Sequence, residues 1–78
     1  MSIAFEWGPA KAIVNLRKHS VAFEEATTAF ADTSSLTIAD PLYSEGESRY
    51  VLLGRSQMGR LLAVVHTDRG DTIRLISA

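Results

Sequence analysis

The spacing of apolar residues along the chain passes from strand-like to helical and back. Ile3 to Trp7 is a short apolar segment that predicts an edge strand. Gly8-Pro9 interrupts it, and Pro9 suits the first position of a helix, where its missing N–H costs nothing. Residues 9–19 then read as a helix. Ala12, Ile13 and Leu16 form its apolar stripe, while Lys11, Asn15 and Lys18 share the opposite face, expected to be solvated. Lys18 and His19 fall in the last turn, where positive charge suits the helix dipole. Ser20-Val21 lead into a second helix over about residues 23–31, whose Phe23, Ala26 and Phe30 predict a buried face.

Beyond Asp32-Thr33-Ser34-Ser35 the pattern alternates. Leu36-Thr37-Ile38 predicts a strand that Asp40-Pro41 ends, because proline cannot donate to a ladder. Residues 40–48 read as an acidic, glycine-containing loop. A three-strand meander follows over Arg49 to Ser56, Arg60 to Thr67 and Asp71 to Ser77. Its turns, Met58-Gly59 and Arg69-Gly70, each place glycine second in a two-residue loop. That spacing sets Leu52 opposite Val65 and Val65 opposite Arg74. One face then carries Leu52, Leu61, Ala63, Val65, Arg74 and Ile76, and the other Leu53, Arg55, Leu62, Val64, His66 and Leu75.

Both faces are apolar, and two helices can cover one of them. A buried unpaired charge is costly, so Arg74 directs the helices to the His66 face. The Arg74 face is left as a cleft or a contact surface. The expected core includes Phe23, Phe30, Leu53, Val64 and Leu75. The fold class is α+β: two N-terminal helices packed on a largely antiparallel sheet.

Composition narrows the class. With 78 residues the chain is read as one domain over 1–78. Its 46% hydrophobic and 22% charged residues point to a globular fold, not a disordered one. The absence of cysteine excludes a disulfide framework, a thiolate metal site and a cysteine nucleophile. A secreted domain this small usually carries disulfides, so the expected compartment is the cytoplasm. No apolar run approaches the ~18 residues of a membrane-spanning helix. The N-terminus lacks the basic region of a signal peptide.

The net charge of -1 hides an uneven distribution. Residues 49–78 carry Arg49, Arg55, Arg60, Arg69 and Arg74 against Asp68 and Asp71, a balance of +3 supplied entirely by arginine. The guanidinium fork suits phosphate or carboxylate, although a solvated strand surface has the same composition. His19 and His66 sit on different elements, so no metal site and no cofactor is expected.

Arginine and lysine with one or two proton carriers are sufficient for metal-free RNA cleavage. The 2′-hydroxyl must lose a proton, the pentavalent phosphate must be stabilised, and the leaving 5′-oxygen must gain a proton. Arg74, Arg49 and Lys11 are candidates for charge stabilisation, and His66 or a lysine for proton transfer. A hydrogen-bonded core histidine is the alternative reading of His66. Lys18, Arg55 and Arg60 are candidate RNA contacts.

Longer motifs carry a resemblance. Phe5-Glu6-Trp7 precedes Lys11 and Asn15-Leu16-Arg17-Lys18-His19, followed by Phe23-Glu24-Glu25-Ala26, Phe30 and Asp32. Next come Gly46-Glu47, Arg49-Tyr50, Leu53-Gly54-Arg55-Ser56, Gly59-Arg60-Leu61-Leu62, Val64-Val65-His66-Thr67, Arg69-Gly70-Asp71 and Ile73-Arg74, and last Ile76-Ser77-Ala78. In this order they resemble the BrnT toxin family across essentially the whole chain. The resemblance implies a RelE-like fold, ribonuclease activity that inhibits translation, and neutralisation by a BrnA-type antitoxin that also binds operator DNA. The chain departs from the family pattern at Gly8, where aspartate is usual, at Ser20, where glycine is usual, and at Ala22, where serine is frequent. Family members continue past the position of Ala78 into an arginine-rich helical tail. Without that cover, the Arg74 face or the edge of the final strand is expected to close a homodimer, a surface the antitoxin would otherwise take. The alternative function is a catalytically inactive homologue that serves as a protein-binding or dimerisation module.

Overall fold

The computed structural model describes residues 3–40 and 48–78. The acidic loop expected over 40–48 lies, apart from its two ends, outside the described residues. The elements run β1 (Ala4–Glu6), α1 (Pro9–His19), α2 (Phe23–Thr28), a 3-10 turn (Ala29–Ala31), β2 (Leu36–Ala39), β3 (Arg49–Arg55), β4 (Leu61–Arg69) and β5 (Thr72–Ser77). The strands form one sheet in the order β1-β5-β4-β3-β2. β1 runs parallel to β5, and the other three pairings are antiparallel. The sheet is therefore mixed. β5 lies inside it, flanked by β4 and β1, which corrects the expected open edge on the final strand.

Pro9 opens α1 behind an extended Gly8. Arg17, Lys18 and His19 occupy its last turn, next to the unpaired carbonyls. Ser20 ends it in the left-handed conformation, φ 58°, with its N–H donating to the Leu16 carbonyl at 2.9 Å. Glycine is the usual residue there because it has no Cβ to clash. α2 follows after one turn of chain and packs Phe23, Ala26 and, beyond it, Ala29 fully into the core.

The core lies between these helices and one sheet face. Val21, Phe23, Ala26 and Ala29 meet Leu52, Leu62, Val64 and Leu75, with Phe5, Trp7, Phe30 and Ile73 packed around them. Trp7 meets Phe23 edge-on at 5.7 Å between ring centroids, and Phe5 meets Phe30 at 5.1 Å. Glycine at position 54 lets β3 approach the 3-10 turn. A Cβ there would lie 2.8 Å from the Ala29 carbonyl oxygen, so a larger residue must move backbone.

Two further expectations are corrected. The first concerns α1. Asn15, placed on the solvated face, is buried. Its amide donates to the carbonyls of Val21 (3.0 Å) and Ala78 (2.9 Å) and accepts from the Ala78 N–H (2.9 Å). A buried amide needs such partners, and here backbone on either side of the helix supplies them. Ile13 and Leu16, assigned to the inward stripe, are 55% and 52% exposed.

The second concerns register. The β3–β4 connection is a three-residue loop, with Ser56 N–H donating to the Arg60 carbonyl (2.8 Å) and Gly59 N–H to the Ser56 carbonyl (2.9 Å). Gly59 has φ +83°, the left-handed residue of a turn followed by a one-residue bulge. Leu52 therefore pairs with Val64, not Val65. A slip of one residue turns every β3 side chain over. Leu52 is buried, and Leu53, expected in the core, is 37% exposed on the far side. At the β4–β5 turn Gly70 comes first in its loop, with φ +62°, and Arg74 pairs with Thr67, not Val65. That shift is two residues, so β5 keeps its faces from Thr72 to Leu75; a bulge then sets Ser77, not Ile76, opposite Val65. His66 and Arg74 stay on opposite sides, with the helices on the His66 side.

Candidate phosphate-binding row on the open sheet face

Register aligns four side chains across the sheet face that the helices leave uncovered. Glu6 on β1 pairs with Arg74 on β5, Arg74 with Thr67 on β4, and Thr67 with Arg49 on β3. Paired residues in neighbouring strands project to the same face. The Asp40 N–H, just past β2, donates to the Arg49 carbonyl at 2.9 Å. The sequence of groups across the row is acid, arginine, threonine, arginine.

Arg74 Nη1 donates to Glu6 Oε2 at 2.7 Å. Both side chains are about one-third exposed, so the pair contributes little to stability, about 0–1 kcal/mol for pairs of this kind. It does fix where the guanidinium points. A Cβ on Gly8 would lie 3.7 Å from Arg74 Nη2, so glycine leaves that flank without a side chain. Thr67 is 1% exposed, and its hydroxyl has no hydrogen-bond partner. Leaving such a group buried and unpaired costs about 1–3 kcal/mol.

The other candidate residues fall elsewhere. His66 lies in the core on the opposite face, its ring 4.9 Å from that of Phe30 and 6.0 Å from that of Tyr50. Its Nδ1 donates to the Val64 carbonyl at 3.0 Å, because a carbonyl can only accept. The structure does not bring it to Arg74. Lys11 and Lys18 do come together, at a cleft of about 350 Å³ between α1 and the end of β5, with Val14, Asn15 and Ile76 among its walls. Arg55 stands on the Arg74 face by register and donates through Nη1 to the Gly59 carbonyl at 2.8 Å.

Arg60 ties three elements together. It donates to both oxygens of Glu25 on α2, through Nε to Oε2 at 3.0 Å and through Nη2 to Oε1, and its Nη2 also donates to the Ser20 carbonyl at 2.9 Å. Ser56 Oγ donates to Glu25 Oε2 at 2.7 Å. Asp32 does similar work nearby, accepting from the backbone N–H groups of Arg55 and Ser34, and those bonds lower its carboxyl below the ordinary value.

Glu6 and Thr67 are members of the row that sequence reasoning missed. The parallel pairing of β1 with β5 joins residues at the two ends of the chain, and no local pattern signals it. Thr67 was accessible: it follows His66 in a strand, and alternation alone puts it on the Arg74 face. Among the described residues no group of three or more histidine and acidic side chains is placed to hold a metal ion. No helix among them is long and apolar enough to cross a membrane.

The described residues thus form a two-helix, five-strand α+β chain with an arginine row on the sheet face opposite the helices. A family model described as ribonuclease toxin, BrnT, of type II toxin-antitoxin system matches residues 7–78. The chain belongs to this BrnT family of ribonuclease toxins, and the type II system implies an antitoxin partner. A comparison with curated proteins found no match.

The Glu25 carboxyl is held down at about 2, from an ordinary 4.5, by the hydrogen bonds from Arg60 and then Ser56, with the Arg60 charge adding to them and burial opposing. A folded value below the unfolded one means that this stabilisation is complete above about 4.5 and is lost as pH falls towards 2. Thermal melts across that range are expected to show falling stability in the wild type. Glu25→Gln is expected to be less stable at neutral pH and flatter in its acid dependence. An equally steep acid dependence in Glu25→Gln would show that the Glu25 network does not set it.

Proposed function

We propose that this chain is a metal-independent endoribonuclease toxin that inhibits translation, acting as one RelE-like domain in the cytoplasm and neutralised by a BrnA-type antitoxin. The observation that carries the reading is the row itself, with Arg49 and Arg74 on either side of β4 and the Glu6 carboxylate 2.7 Å from Arg74. Two strand spacings separate the arginine backbones by about 10 Å. Arginine side chains are long enough to converge over β4 on one phosphate, and their planar forks suit its oxygens.

In this reading Glu6 accepts the proton of the RNA 2′-hydroxyl. The 2′-oxygen forms a bond to phosphorus while Arg74 and Arg49 stabilise the added negative charge. The bond from phosphorus to the 5′-oxygen breaks, and that oxygen takes a proton from water. The products are a 2′,3′-cyclic phosphate and a 5′-hydroxyl. Because two guanidinium groups supply the positive charge, a metal ion is not required for that step. Lys11 and Lys18 contact flanking nucleotides at the cleft beside α1. His66 serves the core, and Glu6 takes the proton-transfer role first assigned to it.

Arg74→Ala is expected to lower RNA cleavage by about a hundredfold to a thousandfold, the usual loss for one such donor, and to abolish growth arrest on expression. Its melting temperature should change little, because both side chains of the ion pair are part-exposed. Cleavage by the wild type should persist in a chelator and leave cyclic phosphate ends. Unchanged cleavage by Arg74→Ala removes Arg74 from the site.

A second reading concerns partners. The sheet face opposite the helices exposes Leu36, Ile38, Leu53 and Leu61, which lie along the strands from the arginine row towards the β3–β4 loop. Large contiguous apolar patches are rare on soluble monomers and mark contact sites. We propose that this apolar patch, and not the row, closes a two-fold homodimer in the isolated chain, and that the antitoxin displaces the second copy. Sedimentation at micromolar concentration is expected to give a dimer that Leu53→Glu dissociates. A stable monomer in the wild type overturns the homodimer.

A further inference from the structure

Thr67 is the described residue whose buried side chain lacks any hydrogen-bond partner. Its neighbours explain what is missing. Its cross-strand partners are Arg49 and Arg74, which offer donors and no acceptor. The hydroxyl proton therefore has nothing to bond to from either side. Val65, two residues earlier on the same strand and face, has nearly the same shape without the hydroxyl. The packing thus has no evident need for threonine, and an oxygen kept there unpaired costs free energy.

We infer that Thr67 Oγ1 is the third ligand of the phosphate that Arg49 and Arg74 bind. The absent partner is an acceptor, and two flanking cations select an anionic one, which a phosphodiester oxygen satisfies. The hydroxyl is closed off in the free chain and becomes reachable as the two arginine side chains turn onto the anion. Its donated hydrogen bond then fixes the phosphate over the centre of β4, between the guanidinium groups and within the row that ends at Glu6. The inference rests on the phosphodiester reading of the row.

The test is binding of a 2′-O-methyl oligoribonucleotide, which lacks the attacking hydroxyl and is not cut by the proposed chemistry. It is followed by amide shifts and by melting temperature for wild type, Thr67→Val and Thr67→Ser. Thr67→Val is expected to melt at or above the wild-type temperature without ligand, because it removes an unpaired polar atom. It should bind the oligonucleotide at least tenfold more weakly, and Thr67→Ser should bind within threefold of wild type. Equal binding by Thr67→Val overturns the inference. If Thr67→Val does not fold, the wild type decides: saturating oligonucleotide must shift the Thr67 amide together with the Arg49 and Arg74 side-chain Nε signals, and an unmoved Thr67 overturns it. Wild-type binding that depends on Thr67, without cleavage of unmodified RNA, supports the ligand assignment and rejects the nuclease reading. Cleavage with binding indifferent to Thr67 does the reverse.

Discussion

The hydrogen bond from the Gly59 N–H to the Ser56 carbonyl closes a three-residue loop, and the register of β3 against β4 depends on it. Glycine makes the loop possible, because φ +83° at the bulge position excludes most other residues. With a two-residue loop, Leu53 would face the helices and Leu52 the far side. Arg49 would then lie under the helices with His66, away from Arg74. The loop places Leu52 in the core and Arg49 beside Thr67. One turn thus decides both the packing of β3 and the composition of the row.

Much of the fold was legible because its signals are local. Pro9, the aromatic spacing of α2 and the alternation in β4 each act within one element. The side of the sheet that takes the helices was also accessible, since burying Arg74 without a partner is costly. Three things were not legible. Loop length cannot be read from glycine alone, because Met58-Gly59 suits either a two- or a three-residue connection. The β1–β5 pairing joins distant segments and leaves no periodic trace. Asn15 looks solvated by spacing, and its backbone partners at Val21 and Ala78 emerge only when the chain is folded. The candidate site depends on the first two, so its arginines were identified while Glu6 and the relation of Arg49 to Arg74 were not.

Two Arg–Glu pairs show how environment divides similar chemistry. Arg60 engages both oxygens of a buried Glu25 and a helix-end carbonyl, and together with Ser56 it locks the β3–β4 loop to α2 and the end of α1. The loop that sets the register is thereby held from both sides. Arg74 and Glu6 make one contact and are both part-exposed. The first pair supports the fold, and in the proposed reading the second gives up its contact to bind substrate.

The central claim is that Arg49 and Arg74 act together on one phosphate across Thr67. A double-mutant cycle tests it most directly, with kcat/KM for one RNA measured for wild type, Arg49→Ala, Arg74→Ala and the double variant. The claim predicts strong non-additivity, the double variant falling little below the weaker single variant, because either loss already disables the shared site. Losses that multiply would show two arginines working at separate places, and would contradict the row as a single phosphate site.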